Sequence, residues 1–180
     1  MPNYALLTAS GPDRPGIVAA ITGVLLEGEC NIEDSQMSRL GPDFACMLMI
    51  RMPEGVVSRR LNELLAGVAD QFGLRIHLQD LRPEEASEPR SEQPKHLIHV
   101  YGADRKGIIN RITKRLADQS VNITNLHTEV IHHATPLYVM MIEVEVPPYV
   151  DVGRLQDDLV AIGREIEVTV SMKPKDDARF

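Results

Sequence analysis

The chain has 180 residues, 43% of them hydrophobic, which allows one domain or two small ones with an ordered core. A formal net charge of −7 without any basic block argues against direct nucleic-acid binding. No apolar run reaches the ~18–20 residues that span a bilayer and no signal peptide is visible, so we expect a cytoplasmic protein without membrane contact.

The first half of the chain predicts the element order strand, helix, strand, strand, helix, strand. Short segments at Tyr4–Ser10 and Leu74–Leu78 predict the first and fourth strands, and Asn31 opens the second. The third strand is predicted by strict alternation of Phe44, Cys46, Leu48, Ile50 and Met52. Apolar residues at helical spacing predict two helices. The first helix carries Ile17, Ile21, Val24 and Leu25, and the second carries Leu61, Leu64, Leu65 and Val68.

The second half repeats this pattern. Segment 11–17 (GPDRPGI) recurs at 102–108 (GADRKGI), an offset of 102 − 11 = 91 residues, and the Asn-Ile pair at 31–32 recurs at 122–123. Strands are predicted at His96–Tyr101 and Ile166–Val170. The two helices are predicted by Ile108, Ile112 and Leu116 and by Leu155, Leu159 and Ile162. The third strand is predicted by Tyr138, Met140, Ile142, Val144 and Val146.

A polar stretch separates the two copies. Residues 83–94 contain three Pro, four Glu and no large apolar residue, which is typical of a solvated linker. We therefore predict a first domain at 1–82, a linker at 83–94, a second domain at 95–173 and a C-terminal tail at 174–180.

Each copy predicts a ferredoxin-like βαββαβ domain of the α+β class, an antiparallel four-stranded sheet with two helices on one face. The other sheet face is also partly apolar. An exposed apolar face needs a cover, so we expect the two copies, or two chains in a homodimer, to bury it. The alternative is that these are scattered exposed residues of the ordinary kind. The residues concerned are Ala45, Met47, Met49, Val139 and Met141.

The repeated Gly-x-Asp-Arg-x-Gly loop is the strongest candidate for a binding site. Glycines let the chain turn sharply and approach a ligand, and Pro15 fits the first position of a helix. The N–H groups of Gly16 and Ile17 would then be free donors for a carboxylate or phosphate. Asp13 and its counterpart Asp104 could accept hydrogen bonds from an ammonium group. The loop therefore suits a zwitterion such as an amino acid.

A structural interpretation of the same loop stays open. In this interpretation, Asp13 serves only to cap its own helix, and the glycines serve only the turn. A duplicated fold also duplicates its structural requirements, so the recurrence of the motif favours binding only weakly.

The loop, followed about fourteen residues later by Asn-Ile, resembles the ACT domain, a regulatory amino-acid-binding module. Two such domains without an attached enzyme are most similar to the glycine cleavage system transcriptional repressor family. The resemblance covers residues 3–82 and 95–173 and implies a ligand at a domain–domain interface, between the loop and the Asn-Ile segment. The implied ligand-binding residues are Gly11, Asp13, Arg14, Gly16, Ile17, Asn31, Ile32, Gly102, Asp104, Arg105, Gly107, Ile108, Asn122 and Ile123.

The sequence departs from the motif of the family in two places. Lys106 replaces Pro in the second loop, and both loops carry Asp where some amino-acid-binding ACT domains carry Asn. These differences leave the identity of the ligand open.

The resemblance implies a non-catalytic regulatory protein that binds a small amino acid, glycine being the natural candidate, without a cofactor. It would act on transcription or metabolism through a protein partner such as a transcription regulator. The alternative is a ligand-free module for dimerisation or docking on an enzyme. The first half also resembles the ACT segment of formyltetrahydrofolate deformylases, but their catalytic domain has no counterpart in this sequence.

A histidine cluster and one cysteine are further candidates for a metal site and a redox site. His127, His132 and His133 are close in sequence, but neighbouring strand residues point to opposite faces and no partner has ligand spacing, so we predict no metal site. Cys30 has no basic neighbour that would activate it as a redox sensor, and we expect a small core residue.

Overall fold

A computed structural model describes residues 3–54, 58–86, 93–131 and 136–175. The chain divides into two compact units, Met1–Pro89 and Arg90–Phe180.

The first unit is a four-stranded antiparallel sheet with two helices. Its strand order is β2-β3-β1-β4, so the first and third strands lie in the centre. A one-turn helix α3 (Pro83–Ala86) follows the sheet. The other elements are β1 (Asn3–Pro12), α1 (Ile17–Glu27), β2 (Asn31–Leu40), β3 (Asp43–Met52), α2 (Ser58–Phe72) and β4 (Arg75–Leu81).

The second unit has the same topology, with strand order β6-β7-β5-β8. The predicted α+β class and the tandem βαββαβ order are therefore confirmed. Its elements are β5 (Lys95–Gly102), α4 (Ile108–Asp118), β6 (Asn122–Ile131), β7 (Leu137–Glu145), α5 (Val152–Glu165) and β8 (Val168–Pro174).

The alternating pattern of the third strands buries one face and exposes the other. In β3, the side chains from Phe44 to Met52 at every second position lie in the core, and β7 repeats this. Burial of a large aliphatic side chain contributes roughly 1.5–3 kcal/mol, so this alternation fixes which face carries the helices. Each unit has its own core because its two helices cover its own sheet.

The opposite sheet face remains accessible within the chain. Met47 is 48% exposed and Met141 is 44% exposed. The expectation that another copy or another chain covers this face stays a prediction. Among the described residues, no helix is long and apolar enough to cross a membrane.

In the described residues of the second unit, one ring nitrogen of a buried histidine lacks a hydrogen-bond partner. His96 lies on the core face of β5 and is 7% exposed, and within the described ranges nothing bonds to its Nδ1 atom. The equivalent residue of the first unit (96 − 91 = 5) is the fully buried Ala5. A buried polar atom without a partner costs about 1–3 kcal/mol.

We expect His96→Leu to raise the free energy of unfolding of the second unit by about 1 kcal/mol, because it removes this penalty and keeps a similar volume. Urea unfolding of the full chain measures the change. His99→Leu, on the accessible face of the same strand, is the control and should change stability by less than about 0.5 kcal/mol. Destabilisation by His96→Leu would show that the imidazole is satisfied in solution.

A cluster of charges lies at the start of β5 and the end of β7. Lys175 Nζ donates a hydrogen bond to Glu143 Oε2 at 2.6 Å, and Lys95 Nζ lies 3.6 Å from Glu143 Oε1. The hydrogen bond from Lys175 holds the pKa of Glu143 below its ordinary value, although partial burial opposes this. Because the pKa is lowered by folding, this carboxylate stabilises the fold above its unfolded pKa and loses that contribution as the pH falls through its folded pKa.

We expect Lys175→Met to reduce the loss of stability between pH 7 and pH 3, because Glu143 then titrates nearer its unfolded value. Unfolding free energies at several pH values measure this. Lys173→Met is the matched control, since no ion pair of Lys173 is found in the described part of the chain. An unchanged pH dependence in Lys175→Met would mean that the ion pair does not form in solution.

Candidate functional site

Each predicted loop leads from the end of a central strand to the start of a helix. Gly11 pairs with Phe44 and Gly102 pairs with Tyr138, so both glycines belong to strands rather than to the loop itself. A Cβ on Gly11 would lie 2.8 Å from the carbonyl oxygen of Gly73, and one on Gly102 would lie 2.7 Å from Val168 Cγ1. Gly11 therefore allows close packing against the turn before β4, and Gly102 allows it against the first residue of β8.

The helix of the first unit begins later than the position of Pro15 predicts. Its first residue is Ile17, and Gly16 is the N-cap with φ 95°. This left-handed conformation reverses the chain direction just before the helix, which places Pro15 in the turn instead of the first helical position. Gly107 has φ 91° and the same role in the second unit.

Among the described residues, no side chain caps α1 or α4 by accepting a hydrogen bond from its first turn. Asp13 therefore does not cap its own helix. The backbone N–H of Asp13 instead donates to the carbonyl oxygen of Pro42 at 2.8 Å, which ties the loop to the β2–β3 hairpin. Both helix N-termini therefore retain donors and a positive dipole end.

The carboxylates of the two loops have different surroundings. Asp13 Oδ2 lies 3.7 Å from Arg39 Nη1 on β2. Asp104 has no ion pair within the described ranges, and the residue equivalent to Arg39 (39 + 91 = 130) is Val130. Burial and the charge of Asp104 both raise the pKa of Tyr138, so this carboxylate lies close enough to affect the phenol.

The arginines of the two loops also differ, but here it is the second loop whose side chain forms an ion pair. Arg105 forms an ion pair with Glu167, which stands in the turn before β8. The first unit has Gly73 in that turn, and Arg14 has no hydrogen bond or ion pair in the described part of the chain. The first loop therefore offers a free guanidinium and the second a free carboxylate.

The Asn-Ile segments lie at the other end of each sheet. Asn31 pairs with Arg51, whereas Gly11 pairs with Phe44, seven residues away along β3. At ~3.3 Å per residue, this separates the two predicted segments by about 23 Å. One small ligand cannot touch both segments of the same unit.

The side chains of these segments are already engaged. Asn31 Nδ2 donates to Glu33 Oε1 at 2.9 Å, and Asn122 Nδ2 donates to Glu145 Oε2 at 3.4 Å. Ile32 is 37% exposed, Ile123 packs at the border of the core, and Ile17 and Ile108 are buried in it. The last two side chains are therefore structural, and only their backbones can face a ligand.

Sequence reasoning missed Arg39, Tyr138 and Glu167, which set the charge around the two loops. The alternation of β3 and β7 predicts which residues face the core, but not which side chains reach the loop. Pairing the strands through the β2–β3 hairpin would have placed Arg39 opposite Phe44, beside the loop.

The histidine and cysteine residues do not form further sites in the described region. His132 and His133 lie outside the described residues, and the described residues contain no group of three His, Cys, Asp or Glu able to hold a metal ion. Burial raises the pKa of the Cys30 thiol, which disfavours the reactive thiolate.

A family model described as an ACT domain matches residues 3–79 and again residues 96–173. The chain belongs to the ACT-domain family. Its two units are tandem ACT domains, and each carries the repeated glycine-aspartate loop between its first strand and first helix.

The relatives with assigned names are distant. The chain is 29% identical over 125 residues to the glycine cleavage system transcriptional repressor of Escherichia coli, which covers 69% of this chain and 63% of that protein. It is 38% identical over 76 residues to the UPF0237 protein MK1213 of Methanopyrus kandleri, covering 42% of this chain and 84% of that protein. The tandem ACT domains thus span less than two thirds of the length of the repressor.

Solved structures share the fold of the whole chain. An unknown protein from Galdieria sulphuraria has a TM-score of 0.83 at 22% identity, with 97% of this chain and 99% of that chain covered. A structure provisionally assigned as a glycine cleavage system transcriptional repressor has a TM-score of 0.71 at 20% identity, with 97% and 98% covered. At these identities the likeness concerns the fold alone.

Proposed function

We propose that the loops 11–17 and 102–108 bind a small amino acid, and that the chain is a non-catalytic regulatory protein that signals the bound state to a protein partner. The observation that supports this most directly is that, within the part of the chain that the structure describes, both helix N-termini lack a side-chain cap and stand beside an Asp-Arg pair. Free backbone donors at a helix N-terminus attract a carboxylate, and an adjacent carboxylate attracts an ammonium group.

The two loops offer complementary charges to such a ligand. In the first loop, Arg14 is free for the carboxylate, while Arg39 partly neutralises Asp13. In the second loop, Asp104 is free for the ammonium group, while Glu167 holds Arg105. We therefore propose that the two sites are not equivalent and that the second is more selective for the ammonium group.

The relation to the repressor of Escherichia coli makes glycine the first candidate ligand and control of transcription or metabolism the first candidate role. The net charge of −7 disfavours direct contact with DNA, so we propose that control passes through a protein partner. A ligand can shift the interaction with that partner only by its difference in affinity between the free and partner-bound states.

Calorimetric titration of the full chain with each of the twenty amino acids tests the proposal. We expect saturable binding of glycine or another small amino acid, and loss of binding when its amine is acetylated or its carboxylate is amidated. No heat from any amino acid at millimolar concentration would refute the sensor function.

A second candidate is a docking module that binds no ligand, and the accessible apolar sheet face with Met47 and Met141 favours it. The double variant Asp13→Ala with Asp104→Ala separates the two functions. If partner binding is the same with and without amino acids, and the same in this variant, the docking function is the better explanation.

A further inference from the structure

A concavity lies on the helix-free face of the first sheet, near the β2–β3 hairpin. One row of partners crosses all four strands there, from Ser38 to Ala45 to Ser10 to Arg75. The first three are small, so the row forms the floor of a depression. We name the depression lined by this row the transverse trench.

Larger side chains flank the transverse trench on both sides. Met47 and Gln36 lie on one side, and Leu40 and Asp43 lie on the other. Two adjoining cavities of about 500 Å³ and 280 Å³ share Ser10, Ser38 and Ala45. These volumes suit a small organic ligand.

The second ACT domain has the same row without the small residues. Its partners are Glu129, Val139, Tyr101 and Thr169 in the same cross-strand order. Large side chains replace two serines and an alanine, and Thr replaces the arginine. In the second domain, larger side chains therefore fill the position that corresponds to the transverse trench.

Four polar side chains line the transverse trench. In the described region, Ser10, Ser38, Asp43 and Arg75 make no side-chain hydrogen bond or ion pair. Asp43 and Arg75 carry opposite charges and line the same cavity. Asp43 pairs with Pro12 and Arg75 with Ser10, so their Cα atoms are two strand spacings and two residues apart, about 12 Å.

We propose that the transverse trench binds a small zwitterion longer than a free amino acid, of the class of dipeptides. Its carboxylate pairs with Arg75, its ammonium group pairs with Asp43, and an apolar side chain lies on Ala45 against Met47. The serine hydroxyls bond to the peptide group. A dipeptide holds its two charges several bonds apart, which matches residues on separate strands better than a free amino acid, whose two charges stand on one carbon.

The site is separate from the amino-acid site proposed above. It uses the sheet face and not the helix N-terminus, although Gly11 and Pro12 of the first loop stand at its edge. The two proposals can therefore fail independently.

NMR titration of the full chain with the dipeptide alanyl-leucine tests the trench. We expect saturable shifts at the backbone amides of Ser38, Ala45 and Met47, and about tenfold weaker binding after acetylation of the amine or amidation of the carboxylate. Leucine and glycine should leave these three amides unchanged, even if they bind at the loops.

Two variants carry residues of the second domain into the first. Ser10→Tyr fills the trench and Arg75→Thr removes its cation, and each should weaken binding of alanyl-leucine at least tenfold. Tyr101→Ser in the second domain is the control and should leave binding unchanged. Far-ultraviolet circular dichroism verifies that each variant is folded.

The proposal is overturned if alanyl-leucine fails to bind at millimolar concentration. It is also overturned if the doubly capped dipeptide binds equally well, which would indicate an extended protein segment, or if both folded first-domain variants bind normally. Binding of alanyl-leucine that persists in Asp13→Asn would confirm that the trench acts independently of the adjacent loop 11–17.

Discussion

Replacing Gly11 with Ala is expected to destabilise the first ACT domain by about 2–4 kcal/mol. Gly11 has φ 155°, a conformation that side chains rarely adopt, and the new Cβ would lie 2.8 Å from the carbonyl oxygen of Gly73. Because that atom belongs to the backbone, the contact is relieved only by moving the turn before β4. Urea unfolding of the full chain, followed by circular dichroism, measures the loss.

Gly67→Ala is the matched control for this effect. Gly67 lies inside the exposed part of α2, and a Cβ there would meet nothing within 4 Å. Alanine favours the helix over glycine by up to about 1 kcal/mol, so this variant should be more stable than the native chain. Destabilisation of similar size in both variants would contradict a specific close approach at Gly11.

Asp104→Asn is expected to weaken amino-acid binding at least tenfold, and Asp13→Asn to weaken it much less. Asp104 forms no ion pair in the described part of the chain, so its charge is available to a ligand ammonium group. Asp13 lies 3.7 Å from Arg39, and both side chains are partly exposed, so its charge is partly compensated. A hydrogen bond to a charged group contributes about 1.5–3 kcal/mol, which corresponds to a tenfold change or more.

Tyr138 provides an independent measurement of the same site. Burial and then the charge of Asp104 raise the pKa of Tyr138. Asp104→Asn should therefore lower this pKa, and a ligand ammonium group placed at Asp104 should lower it in the native chain. Ultraviolet titration resolves tyrosinate well because the chain has four Tyr and no Trp, and Tyr138→Phe identifies the band.

Equal effects of Asp13→Asn and Asp104→Asn on binding would contradict the proposed difference between the two loops. If calorimetry detects binding of an amino acid but the pKa of Tyr138 does not change, the ammonium group lies away from Asp104. Each result tests the assignment without depending on the unknown partner.

Much of the fold could be predicted because its information is local. The alternation of β3 and the helical spacing of Ile17, Ile21 and Leu25 are properties of consecutive residues, and each agrees with burial in the structure. The repeat at an offset of 91 then indicated two units of the same topology. The start of α1 was wrong by two residues because the positive φ of Gly16 overrides the preference of Pro15 for a helix start.

The candidate sites depend on contacts between distant segments, and the sequence predicted these less well. It identified Asp13 and Asp104 as equivalent, yet Arg39 on another strand accompanies the first and Val130 replaces it near the second. It also did not give the distance between Gly11 and Asn31, which the pairing of β3 places about 23 Å apart within one unit.

By itself, the sequence determined the duplicated βαββαβ architecture, the core faces and the two loops, because periodicity and turn residues act between near neighbours. Only the tertiary structure decided which charges are free, which glycines serve packing, and that four separate strands build a trench in the first unit. Those properties arise where side chains far apart in the chain meet, and their outcome depends on strand order and register rather than on local composition.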